Sequence, residues 1–119
     1  MAGFSLEQRE LDAGYGEISV KGELDLAVAG RLDQAIEGVE KSCLGLVVGL
    51  GDCEFIDSTG IAVILRARSR FAEEGRRLVV CCPADQVERI LDVTGLSEDG
   101  LVYESLDDAV EAMRSAGDN

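Results

Sequence analysis

Near the start of the chain apolar residues recur at every second position, Phe4 and Leu6, then Ile18 and Val20. That spacing predicts strands over about 4–11 and 15–21, joined by a turn at Ala13-Gly14. Gly22-Glu23-Leu24-Asp25 reads as a turn into a helix, because Val28, Leu32, Ala35, Ile36 and Val39 then form one stripe at i, i+4, i+7, i+8 and i+11. Leu44-Gly45-Leu46-Val47-Val48-Gly49-Leu50 has no polar member and predicts a strand buried on both faces. Residues 51–57 read as a loop. Ile61, Ile64, Leu65, Arg68 and Phe71 mark a second helix ending near Gly75, with Arg68 at a border from which a long side chain reaches solvent. Leu78-Val79-Val80-Cys81 is a further strand. Pro83 is read as opening a third helix, where a fixed φ and a missing N–H cost nothing. Its expected core face is Val87, Ile90, Leu91 and Thr94, and Gly95 is placed to end it. A short strand at 101–103 precedes a last helix that begins around Ser105 and faces inward with Leu106, Ala109, Val110 and Met113. Two strands followed by alternating helix and strand predict an α/β fold, a mixed β-sheet flanked by about four α-helices. With no linker, repeat or low-complexity tract, one domain over 1–119 is expected, its core about 4–115.

Composition narrows the reading. Hydrophobic residues make up 46% of the 119, so this is a folding chain rather than an acidic disordered tail. Aromatics are 4%, with no Trp, so the core must be built from Leu, Ile, Val and Ala. The longest strongly apolar run, 44–50, falls far short of the roughly 20 residues that span a bilayer. Glu7, Arg9 and Glu10 stand where a signal peptide would be apolar, so a cytoplasmic protein is expected. The net charge is −13, from 24 acidic and 11 basic residues. A field of that sign repels nucleic acid and anionic membrane and favours a protein partner with a basic face, although solubility accounts for it equally well. Cys43, Cys53, Cys81 and Cys82 form no C-x-x-C pair and read as small buried hydrophobes, with no metal or cofactor expected. Cys81 and Cys82, adjacent on a strand, are expected to point to opposite faces. There is no His, which removes the commonest general base, so an enzyme is not expected.

The most informative segment is Phe55-Ile56-Asp57-Ser58-Thr59-Gly60-Ile61, which leads from the buried strand into the second helix. Asp57 or Ser58 can cap that helix by accepting from its free N–H groups. Gly60 removes a side chain at the helix start, where another backbone can approach. A phosphate on Ser58 would be favoured by the positive helix N-terminus. Ordinary capping accounts for D-S-T-G before a helix on local pattern alone. A nucleophilic serine would need a base, and no G-x-x-x-x-G-K-[ST] loop is present to cradle a nucleotide. Asp107 and Asp108 at the last helix start simply complement its dipole.

Taken together, Gly22-Glu23-Leu24-Asp25 and Phe55 to Ile61 resemble the STAS domains, specifically the bacterial anti-sigma factor antagonists. The likeness continues in order through Arg76-Arg77-Leu78-Val79-Val80, the helix over 86–91, and Thr94-Gly95-Leu96, nearly the whole chain. The resemblance implies a STAS fold and no enzymatic activity. It implies a protein that, unphosphorylated, binds an anti-sigma factor with serine kinase activity and so frees the sigma factor. Phosphorylation ends that binding, and a metal-dependent serine phosphatase restores it. Carried onto this sequence, the acceptor is Ser58, with neighbouring Thr59 the second choice. Glu23, Asp25, Asp57, Ser58, Thr59 and Gly60 form the partner-binding surface, and the free protein is expected to be a monomer. Many relatives carry Asp or Asn where this chain has Gly49, a departure expected to alter how the loop is held. The alternative within the same fold is a STAS subunit of a stress-signalling assembly or of a transport complex.

Overall fold

The computed structural model describes residues 3–96 and 100–117. Five strands form one sheet in the order β1-β2-β3-β4-β5: Ser5–Glu10, Gly16–Leu24, Gly45–Ile56, Arg77–Cys81 and Val102–Tyr103. β1 is antiparallel to β2 and the remaining pairs are parallel, so the sheet is mixed, as the alternation predicts. The helices are α1 (Ala29–Glu40), α2 (Ser58–Glu73), α3 (Asp85–Val93) and α4 (Leu106–Gly117). A short 3-10 turn at Asp12–Gly14 joins β1 to β2.

The strand order explains the layers. Each parallel step from β2 to β5 goes to the next strand along, and such crossovers share one hand, so α1, α2 and α3 all fall on the same face. That face holds the larger core, including Ile18, Leu32, Ile36, Leu46, Val48, Phe71, Val80 and Leu91. The opposite face receives α4, whose Ala109 and Met113 pack on Val47, Val79 and Cys81. Arg77 ties this second layer down: its guanidinium donates to Ala112 O at 3.1 Å, Gly100 O at 2.9 Å and Tyr103 Oη at 3.1 Å.

Several details differ from the sequence reading. Gly22, Glu23 and Leu24 are not a turn but the end of β2, which accommodates them through irregular register and a left-handed Gly22 at φ 95°. Residues 51–56 are not a loop either: β3 runs to Ile56, paired with β2 alone once β4 has ended opposite Gly49. In α2 the buried face is Gly60, Val63, Ile64, Ala67 and Phe71, with Ile61 and Leu65 flanking it, because Ala67 rather than Arg68 points inward. In α3, Pro83 lies outside the helix, which is preceded by Ala84 as its cap residue. Thr94 is exposed, and its hydroxyl donates to Ile90 O at 3.1 Å and Leu91 O at 3.0 Å instead of packing in the core.

The cysteines behave as small apolar residues. Burial pushes the Cys43, Cys53 and Cys81 thiols up from their ordinary value, so they stay protonated at neutral pH. Cys82 leaves strand geometry at φ 57°, which brings it against the same small core as Cys81 rather than to an opposite face. Among the described residues no helix is long and apolar enough to cross a membrane.

Candidate functional site

Asp57 stands at the junction of three segments. Its backbone N–H continues the strand by donating to Leu24 O at 3.2 Å. Its extended backbone (φ −109°, ψ −176°) makes it the N-cap of α2, resolving the choice between Asp57 and Ser58. One carboxylate oxygen, Oδ1, accepts from the N–H groups of Thr59 at 2.9 Å and Gly60 at 3.1 Å, and from the Thr59 hydroxyl. The other, Oδ2, accepts from Leu26 N at 3.2 Å, reaching across to the segment after β2. The Thr59 hydroxyl foremost, with the N–H groups of Gly60, Thr59 and Leu26, holds the Asp57 carboxyl below its ordinary range, against the opposing effect of desolvation. Asp57 is therefore an anion at neutral pH.

This arrangement treats the two hydroxyls of the motif differently. Thr59 is half-buried and its hydroxyl is committed to Asp57. Ser58 occupies the first position of α2, is exposed, and among the described residues has no side-chain hydrogen bond. An unengaged hydroxyl in the first turn of a 16-residue helix lies where free N–H groups and the helix dipole favour added negative charge.

Gly60 is buried, and the reason is a side chain rather than a backbone. A Cβ there would lie 2.7 Å from Leu24 Cγ and 3.0 Å from Ile56 Cγ1, so the absence of a side chain lets α2 start directly on the β2–β3 core. Asp25 lies on the same junction. Its Oδ1 accepts from Ala27 N at 3.1 Å, and its carbonyl accepts from Val28 N at 3.1 Å and Ala29 N at 2.9 Å, starting α1. Glu23 is exposed on β2, directly opposite Phe55 of β3. The structure thus brings Glu23, Asp25, Asp57, Ser58, Thr59 and Gly60 to one end of the sheet.

Two apolar residues at this end were not among the partner-binding residues expected from the sequence. Leu26 is 75% exposed and Phe55 42% exposed, flanking Asp57 from β2's turn and from β3. The usable signal was Phe55 itself, one of three phenylalanines, next to the acidic residues Asp52 and Glu54.

Gly49 lies in β3, the strand expected over 44–50, but far from the loop at Asp57. It lies eight positions before Asp57, about 25 Å along the strand, and so does not hold the loop. A Cβ there would be 3.4 Å from Ser19 Oγ and 3.5 Å from Glu17 Oε2. Glu17 is buried and accepts from Arg9 Nε at 2.8 Å, so a carboxylate at position 49 would face a carboxylate already paired.

The chain as a whole is similar to known proteins. The model of the STAS domain matches residues 8–109. An anti-sigma-B factor antagonist of Listeria monocytogenes is 30% identical over 95 residues, covering 79% of this chain and 83% of that protein. An anti-sigma F factor antagonist of Paenibacillus polymyxa is 31% identical over 104 residues, covering 82% of this chain and 87% of its own length. Among solved structures, an anti-sigma factor antagonist from Mycobacterium paratuberculosis superposes with a TM-score of 0.83 at 30% identity, over 94% of this chain and 95% of the other.

Proposed function

Because the chain belongs to the STAS domain family, we propose that it is an anti-sigma factor antagonist switched off by a phosphate on Ser58. In the unphosphorylated state it binds an anti-sigma factor that is also a serine kinase, and so releases the sigma factor which that protein holds. The kinase transfers the γ-phosphoryl group of ATP to Ser58 Oγ: the Oγ–P bond forms, the bond to ADP breaks, and the hydroxyl proton leaves to a base on the kinase. A metal-dependent serine phosphatase hydrolyses the ester and restores the active form.

The observation that carries this reading is the contrast between the two hydroxyls, Ser58 exposed and unengaged, Thr59 tied to Asp57. Phosphorylation adds about −1.5 to −2 charges beside the Asp57 carboxylate. Within the free domain the helix N-terminus tolerates that charge. Against a docked partner it must be desolvated next to Asp57. Moving a binding equilibrium from 99:1 to 1:99 takes about 5.5 kcal/mol, and a buried, repelled dianion can supply much of it without refolding the domain.

The test is a pull-down from native lysate with wild type, Ser58→Ala and Ser58→Asp as baits, the bound proteins identified by mass spectrometry. An ATP-binding anti-sigma factor captured by wild type and Ser58→Ala, and lost with Ser58→Asp, is the expected result. Equal capture of transport or scaffold proteins by all three would sink the reading in favour of another STAS role.

A further inference from the structure

We propose that Leu26 and Phe55 are the apolar centre of the docking surface, and that the partner's matching face is an apolar socket rimmed by basic side chains. The inference rests on the antagonist reading above and names the chemistry of the face it requires.

Among the described residues, large hydrophobics are exposed at four places: Leu26, Leu44, Phe55 and Val93. Leu44 precedes β3 at the end of the sheet away from Ser58, and Val93 closes α3. Only Leu26 and Phe55 lie beside Asp57, and the fold holds them there. Leu26 has its N–H fixed to Asp57 Oδ2 at 3.2 Å, and Phe55 sits in the ladder opposite Glu23. Both backbones are ordered before any partner arrives, so docking has little loop entropy to overcome. An aromatic and a leucine, prepositioned and wet, are what becomes the dry centre of an interface.

Charge specifies the rim. The segments 21–28 and 51–60 that build this end carry Glu23, Asp25, Asp52, Glu54 and Asp57 against one cation, Lys21, which is paired in register with Asp52. A second copy of this chain would meet the same carboxylates and be repelled, as would an acidic surface or a membrane of anionic lipid. A basic partner face is steered in. The same charge makes Ser58 an effective switch, since a phosphate adds to an end of the sheet where the carboxylates of these two segments outnumber their one lysine.

The experiment uses the anti-sigma factor captured by wild type, with the dissociation constant measured for Leu26→Ala, Phe55→Ala, Glu54→Lys, Leu44→Ala and Val93→Ala. Circular dichroism checks that each variant folds. The expected result is at least a tenfold loss for Leu26→Ala and for Phe55→Ala, a slower association rate for Glu54→Lys, and no change for Leu44→Ala or Val93→Ala. Unchanged affinity for folded Leu26→Ala and Phe55→Ala, with binding still sensitive to Ser58→Asp, overturns this surface and leaves the antagonist reading intact. If wild type binds no anti-sigma factor, the antagonist reading falls and this surface falls with it.

Discussion

A Cβ on Gly60 has nowhere to go, and that makes the residue a sensitive probe of how the switch loop is held. Ala is a better helix former than Gly by about 1 kcal/mol, so an open site would gain from the change. Here the methyl meets Leu24 Cγ at 2.7 Å, and overpacking of this kind costs about 1–3 kcal/mol. Gly60→Ala is therefore expected to destabilise, while Gly60→Ala combined with Leu24→Ala should cost less than the sum of the two. Urea denaturation of the four species measures that coupling; simple additivity would mean that the contact does not matter. Asp57 offers a second probe. Its native pKa is depressed, so the stability it contributes is complete above the ordinary carboxyl value of about 4 and is lost as pH falls through the lower native value. Asp57→Asn keeps an acceptor for the N–H groups but cannot titrate. The wild-type advantage in Tm over Asp57→Asn should then shrink between neutral pH and strong acid, and a constant gap would refute it.

At the scale of the element, the two long strands show where pattern reading works and where it stops. The start of β3 was legible because 44–50 is uniformly apolar and both of its faces are covered. Its second half was not. After β4 ends opposite Gly49, the buried positions Leu50, Cys53 and Ile56 are three apart, because irregular register against β2 breaks the alternation that marks a strand. The same irregularity concealed the end of β2, where Gly22 resembles a turn residue. It is left-handed, with Gly3 O 2.7 Å from where a Cβ would stand, so Gly22→Ala should loosen the start of β1. Faster amide exchange confined to 5–10 and 19–24 would show this, whereas a uniform change would indicate global destabilisation instead. The site was legible in part for a related reason. Polar residues of the motif announce themselves by type, while Leu26 is distinguished only by exposure, which no sequence pattern supplies, and Phe55 only by being a rare aromatic beside acidic residues.

Over the whole molecule, 24 acidic residues against 11 basic ones create self-repulsion that folding must overcome. Attractive pairs exist, such as Arg70 Nη2 to Glu40 Oε1 at 3.0 Å, but a net charge of −13 leaves repulsion dominant. Raising ionic strength shortens the screening length from about 10 Å at 0.1 M to about 3 Å at 1 M. Tm at neutral pH should therefore rise with sodium chloride, as read by calorimetry. A fall would mean that local ion pairs, not the overall field, govern the electrostatics. The same addition of salt should slow association with a basic partner, so stability and binding would move in opposite directions.

The direction in which the polypeptide threads through the sheet has a further consequence. Gly3 lies against Gly22, one residue before Glu23, whereas Met113 of α4 lies against Gly45, at the opposite end of β3 from Ile56. A protein or label fused ahead of β1 would hang beside the acidic docking end and compete for its space. One fused after α4 would trail from the far pole, about 35 Å away along the strand, and leave that end clear. Tethering from the tail side is accordingly the geometry in which this domain could be held by a larger assembly and still meet its partner face on.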